Sequence, residues 1–157
     1  MVAITGANGF VGRALCLELL NNGYSVKGIV RSTQAAKSLP AGVESYILTD
    51  LNEVNTHTDA LSGCSCVIHL AAKVHDMNCN DLTAFRQVNT IGTHELAKAA
   101  IKAGVKHFIY ISTIKVNGER TLTTPFKSSD DVFPQDAYSV SKYEAECILR
   151  NLEKNSE

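Results

Sequence analysis

Ile4-Thr5-Gly6-Ala7-Asn8-Gly9-Phe10-Val11-Gly12 follows a short apolar run at the N-terminus and opens an apolar-periodic segment, and its reading decides the fold. The three glycines have separate tasks in a strand, turn and helix. Gly6 supplies the backbone angles of a sharp turn, Gly9 removes a Cβ that would hold a pyrophosphate away from the main chain, and Gly12 lets the helix approach the strand. A phosphate then meets the free N–H groups of the helix N-terminus. The spacing Gly-x-x-Gly-x-x-Gly is one residue wider at its first gap than the standard dinucleotide fingerprint, so an ordinary glycine-rich βα turn is the competing reading. The order of strand, turn and helix favours the phosphate turn.

Working outward, the pattern alternates. Residues 2–5 read as a strand and 10–22 as a helix, with Val11, Ala14, Leu17 and Leu20 as its apolar stripe and Gly23 ending it. Strands follow at 25–30, 43–48, 66–70 and 107–112, separated by helices at 34–38, 55–61 and 81–103; Pro40 stops the second helix. In the long helix, Phe85, Val88, Gly92, Leu96, Ala99 and Ala103 mark the buried stripe. A polar loop leads to a last helix at 138–154. Strict alternation predicts an α/β fold, a Rossmann-like doubly wound parallel sheet with helices on both faces, in one dinucleotide-binding domain over residues 1–157. Ligands of such sheets sit beyond the carboxyl ends of the strands.

Composition narrows the partners. The chain is 45% hydrophobic and 20% charged with a net charge of -1, an ordinary globular balance with no basic run to hold nucleic acid or an anionic membrane. No apolar stretch approaches the roughly 18 residues of a membrane span, and a cytoplasmic protein is expected. The cysteines carry no paired CxxC pattern, so no metal site is read and all five are expected to be reduced. Cys64 and Cys66 are expected on one side of a strand start as small apolar filling.

Residues after the strands carry the chemistry. Arg31 ends the second strand, where an NAD-binding fold places an acidic residue on the ribose hydroxyls. A guanidinium there pairs with a 2′-phosphate, with Lys37 as a second partner, so the cofactor is read as NADP, with NAD as the alternative if Arg31 is only solvated. Asp50 fits either an acceptor for the adenine amino group or a turn-initiating residue. Tyr138 and Lys142, four apart at a helix start, project from one face. An ammonium near the phenol favours phenolate and prepares Tyr138 for proton transfer, while Lys142 also reaches a ribose. Thr113 offers a hydroxyl to a substrate oxygen on which charge develops.

Together, Thr5 to Gly12, His69-Leu70-Ala71-Ala72, Asn89, Ser112-Thr113 and Tyr138-x-x-x-Lys142 resemble the extended short-chain dehydrogenase/reductase family, over the whole chain. Its members acting on nucleotide sugars are closest in character, and the runs 114–119 and 138–146 resemble a bacterial subgroup of UDP-glucose 4-epimerase-like proteins, some of them 4-keto-sugar reductases. The resemblance implies catalytic roles for Thr113, Tyr138 and Lys142, with Lys142 lowering the tyrosine pKa. It implies that Gly6, Asn8, Gly9, Phe10, Val11 and Gly12 line the pyrophosphate and that Asp50 and Leu51 hold adenine. Leu70, Ala71 and Ala72 would pass under the nicotinamide half, and Asn89 would brace it.

Two departures shape the expectation. Dehydratases of this family carry an Asp-Glu pair after the threonine, and here Ile114 and Lys115 stand there, which argues against elimination of water. Arg31 replaces the acidic residue of NAD-holding epimerases, so the expected reaction is reduction of a 4-keto sugar by NADPH, with epimerisation as the alternative. An NADP-sensing regulator and a dehydrogenase of other small alcohols are further readings. Family members continue into a C-terminal substrate lobe, so this chain is expected to bind cofactor without turnover. A homodimer through the helices at 81–103 and 138–154 and a UDP-linked sugar substrate are also implied.

Overall fold

Val2–Thr5 forms β1, buried along its whole length, and the other strands lie on both sides of it: β2 Val26–Val30, β3 Glu44–Ile47, β4 Cys66–His69 and β5 His107–Tyr110. The computed structural model describes residues 1–51, 54–74, 81–121 and 123–155; Cys79 lies outside them. The sheet order is β3-β2-β1-β4-β5, and every pairing is parallel, with Val2 opposite both Val26 and Cys66. A continuous apolar run such as β1 suits a strand covered on both faces. The helices are α1 Phe10–Asn21, α2 Thr33–Lys37, α3 Val54–Ala60, α4 Leu82–Phe85, α5 Gly92–Lys102 and α6 Ala137–Lys154. The alternation read from the sequence is the alternation found.

Side-chain alternation along β1 divides the core. Val2 and Ile4 join Val26, Val30 and Ile68 against Ala7 and Cys16, with α1 and α2 on that face. Ala3 joins Ile29 and Val67 against Ala60, Leu61, Leu96, Ala99 and Ala100 of α3, α5 and their ends. No described helix is long and apolar enough to cross a membrane.

Three expectations are corrected. In α1 the residues Val11, Ala14 and Leu17 are exposed, and Gly12 and Cys16 make the buried line. Contact sets the phase: a Cβ on Gly12 would fall 2.3 Å from the Gly6 carbonyl oxygen, so the Gly12 side of the helix lies against the turn. Of the expected stripe, Leu20 packs on the sheet. Cys64 and Cys66 belong to opposite layers, because Cys64 sits in the turn before β4 and strand alternation does not reach it; both are free thiols, as are Cys16 and Cys147.

The expected helix over 81–103 is continuous from Leu82 to Lys102 but changes pitch within it. Asp81 is its cap, with Oδ1 accepting the Thr83 N–H at 2.9 Å, and a π-helical segment, Arg86–Ile91, joins α4 to α5. Phe85, Gly92, Leu96 and Ala99 are buried as expected. The wider turn holds Asn89 and Thr90, both buried, and such segments often mark functional positions.

Candidate functional site

The glycine turn has the form its spacing implied. Gly6 takes a φ of 67°, and a Cβ there would lie 2.9 Å from the Ala71 nitrogen, so the turn presses on the main chain leaving β4. Gly9 caps α1 without a side chain, its own N–H donating to the Gly6 carbonyl at 2.9 Å. The first helical turn carries no acidic residue, so the helix itself brings no negative side chain to the positive end of its dipole. Around it Phe10 is 97% and Val11 58% exposed, an apolar rim on a polar notch. Asn8 is exposed beside them.

The other predicted cofactor residues lie at the same sheet edge. Arg31 is exposed at the end of β2, next to Ser32, whose hydroxyl caps α2 by accepting the Ala35 N–H at 3.2 Å; Lys37 is exposed at the end of α2. Asp50 is exposed and Leu51 half-buried. Leu51 packs on Gly92, where an added Cβ would meet its Cβ at 2.9 Å. Leu70, Ala71 and Ala72 are half-buried in the segment after β4.

Beneath this edge runs a polar chain that spacing did not reveal. The Leu70 and Ala71 N–H groups donate to Thr5 Oγ1 at 3.2 and 3.1 Å, which directs the Thr5 hydroxyl hydrogen to His69 Nδ1, 2.6 Å away. On the far side of the ring, Thr93 donates to the Asn89 carbonyl at 2.6 Å and so accepts from His69 Nε2 at 2.9 Å. Burial, with positive charge on Lys142, pushes the imidazole down to about 3, and it stays neutral. Asn89 Nδ2 then reaches Ser141 Oγ at 3.0 Å, and Ser141 donates to the Tyr138 carbonyl at 2.7 Å. The glycine turn and the start of α6 are thereby coupled through buried hydrogen bonds. His69 belongs to the quoted His69-Leu70-Ala71-Ala72 run; the i, i+4 pair Asn89 and Thr93 is the one sequence signal for the rest.

Thr113 and Tyr138 come together. Asp136 caps α6, with Oδ1 accepting the Ser139 N–H at 2.6 Å and Ser139 Oγ accepting the Asp136 N–H at 3.1 Å, and this first turn sets Tyr138 beside Thr113. Burial raises the phenol pKa, and the nearby Thr113 hydroxyl opposes that rise. Ser112 instead donates to Glu146 of α6.

Lys142 departs from expectation. It is buried, donates to the Ile111 carbonyl at 2.7 Å and stands 4.0 Å from the centre of the Tyr110 ring. Burial pushes its pKa down to about 8 against the opposing charge of Glu146. The phenol of Tyr138 is raised, first by burial and then by the Asp136 carboxylate, and the cation that pulls it back is Lys115. An i, i+4 offset gives a shared face, but the free carbonyl after β5 claims the ammonium.

Two hollows adjoin these residues. One of about 380 Å³ lies beside Thr113, lined by Ile114, Asn117, Phe126, Lys127 and Ser128. A larger cleft of about 550 Å³ runs between α5, β5 and the later half of α6, walled by Ala97, Phe108, Leu149 and Leu152. The first touches Thr113 directly, and Tyr138 lines neither.

Comparison with known proteins agrees with this fold. The model of the NAD dependent epimerase/dehydratase family matches residues 2–157. A Vibrio cholerae relative named UDP-glucose 4-epimerase is 42% identical over 99% of this chain and 48% of its own length. The chain thus spans about half the length of that relative. Among solved structures, the Thermus thermophilus UDP-glucose 4-epimerase superposes with a TM-score of 0.89 at 24% identity, covering 99% of this chain and 51% of that one, and shows the shared fold. The Bordetella bronchiseptica enzyme WbmG, solved with NAD and UDP, gives a TM-score of 0.81 at 28% identity, covering 95% and 48%.

Proposed function

Since the chain belongs to the NAD dependent epimerase/dehydratase family, of the extended short-chain dehydrogenase/reductase type, we propose that it is the cofactor-binding half of an enzyme acting at C4 of a UDP-linked sugar. Epimerisation is the leading reaction. One observation carries the reading: the Thr113 hydroxyl and the Tyr138 phenol lie close enough for the threonine to lower the phenol pKa, beyond the carboxyl end of the sheet that also carries the Gly6–Gly12 turn. The 42% identical relative weights it toward epimerisation.

The residues fit a nicotinamide dinucleotide. Glycine at position 6 lets the turn close on the main chain at Ala71, which a Cβ would strike, the α1 N-terminus lacks a side-chain cap, and exposed Phe10 and Val11 supply apolar contact. Gly6, Asn8, Gly9, Phe10, Val11 and Gly12 would line the pyrophosphate, Arg31 the adenosine ribose, and Asp50 and Leu51 the adenine. Leu70, Ala71, Ala72 and Asn89 would hold the nicotinamide half, and Lys142 would join them on turning from the Ile111 carbonyl that it meets now. When bound, the nicotinamide accepts and returns a hydride.

Tyr138 takes the proton of the sugar hydroxyl and returns it, while Thr113 donates to the same oxygen. The hollow beside Thr113 receives the sugar. Lys115, a cation paired with Asp136, stands where a dehydratase carries an acid, which speaks against elimination. Arg31 supports a second reading, reduction of a 4-keto sugar by NADPH. We assign the two long helices to a homodimer contact.

The test uses full-length protein with UDP-glucose or UDP-N-acetylglucosamine, following the C4 epimer by proton NMR. Interconversion that falls by a factor of about 10² or more in Tyr138→Phe supports the reading. Turnover confined to a UDP-4-keto-hexose with NADPH replaces epimerisation by reduction.

A further inference from the structure

Two residues beyond Thr113, Lys115 reaches across the site. Its ammonium donates to Asp136 Oδ2 at 2.6 Å and stands 3.2 Å from Glu119 Oε1. Its main-chain N–H donates to Thr113 Oγ1 at 3.4 Å. Asp136, at the other end of the bridge, is the cap of α6. A single lysine therefore joins the turn that carries Thr113 to the helix start that carries Tyr138. We propose that Lys115 is a positioning residue for Tyr138: its bridge to Asp136 ties the helix start that carries the phenol to the turn that carries Thr113, and cancels the carboxylate charge beside the phenol.

The groups around Tyr138 single out this lysine. On its own helix stand Asp136 and Lys142, the latter turned to the Ile111 carbonyl. From α4 the Phe85 ring meets Tyr138 edge-on at 6.3 Å, and Lys73 lies 5.6 Å from the centre of that ring, behind it. From β5 comes the buried phenol of Tyr110, which senses the charge of Tyr138; Glu119 faces Lys115. Lys115 acts on the phenol both directly and by neutralising Asp136, whose carboxyl is drawn down to about 2 although burial opposes it. At 38% exposure the lysine is close enough to water for its charge to respond to salt.

The inference rests on the reading of Tyr138 as the proton-transfer group, and its test needs neither cofactor nor substrate, so the two fail separately. Tyrosine 13Cζ shifts of the 157-residue chain are followed from neutral to alkaline pH, with Tyr138 assigned by its loss in Tyr138→Phe. Lys115→Met is expected to raise the Tyr138 midpoint by about one unit, and Lys115→Arg to restore it. Lys115→Met with Asp136→Asn returns the midpoint toward wild type, because asparagine still caps the helix but carries no charge. If Lys115→Met does not fold, Asp136→Asn alone decides, with a lower midpoint expected. An unchanged midpoint in a folded Lys115→Met, a double variant as displaced as the single one, or an unlowered midpoint in Asp136→Asn overturns the proposal.

Discussion

Asn89 grips Lys73 from both sides: the Lys73 N–H donates to Asn89 Oδ1 at 2.7 Å, and Asn89 Nδ2 donates to the Lys73 carbonyl at 3.0 Å. The main chain leaving β4 is thus pinned to the π-helical segment before α5. The same carboxamide touches Ser141 of α6, so three separate stretches of chain share one side chain.

Asn89→Ala removes these partners at once and leaves the Lys73 N–H and carbonyl without them. The expected loss is about 2 kcal/mol of folding stability, read from urea unfolding, with an unchanged slope. A loss under about 0.5 kcal/mol would mean that water replaces the carboxamide freely.

Glycine substitutions separate close approach from backbone conformation. Gly12→Ala drives a Cβ to 2.3 Å from the Gly6 oxygen and is expected to cost about 1–3 kcal/mol or prevent folding. Gly23 has a φ of 79° with nothing within 4 Å of an added Cβ, so Gly23→Ala should cost only about 1 kcal/mol. Equal Tm values for the two variants would show that α1 does not press on the turn.

His69 makes stability depend on pH. Its folded pKa of about 3 lies below the ordinary 6.5, so the unfolded chain binds the proton more tightly. Its contribution is complete above 6.5 and is lost as the pH falls toward 3, at up to about 1.4 kcal/mol per pH unit. Denaturation between pH 7 and pH 4.5 measures the slope, and imidazole 15N shifts at pH 5 should still report a neutral ring protonated at Nε2. A ring that charges near pH 6 would contradict the buried relay from Thr5 to Thr93.

The sheet was legible because each parallel crossover needs a helix, and the apolar runs of β1 and β4 mark strands covered on both faces. The phase of α1 was not: Val11, Ala14 and Leu17 repeat at helical spacing, yet the contact at Gly12 turns another line inward. Thr113 and Tyr138 were found by their places after β5 and at the start of α6. The direction of Lys142 was hidden, since a sequence does not say which carbonyl lies within reach of an ammonium. Thr93 and Ser141 were missed because ordinary hydroxyl residues in helices give no pattern until the partners they face are known. Lys115 stood out as a departure from the dehydratase pattern, while its tie to Asp136 spans 21 residues and needs the fold.

Binding of a nicotinamide dinucleotide at the Gly6–Gly12 turn underlies the whole functional reading. Calorimetric titration of this chain with NADH and NADPH, beside Gly6→Ala and Arg31→Ala, measures it. The expected result is saturable one-to-one binding that is lost in Gly6→Ala, with Arg31→Ala weakening NADPH and sparing NADH. No binding of either dinucleotide by the folded chain, or binding unchanged in a folded Gly6→Ala, would contradict the assignment of the turn.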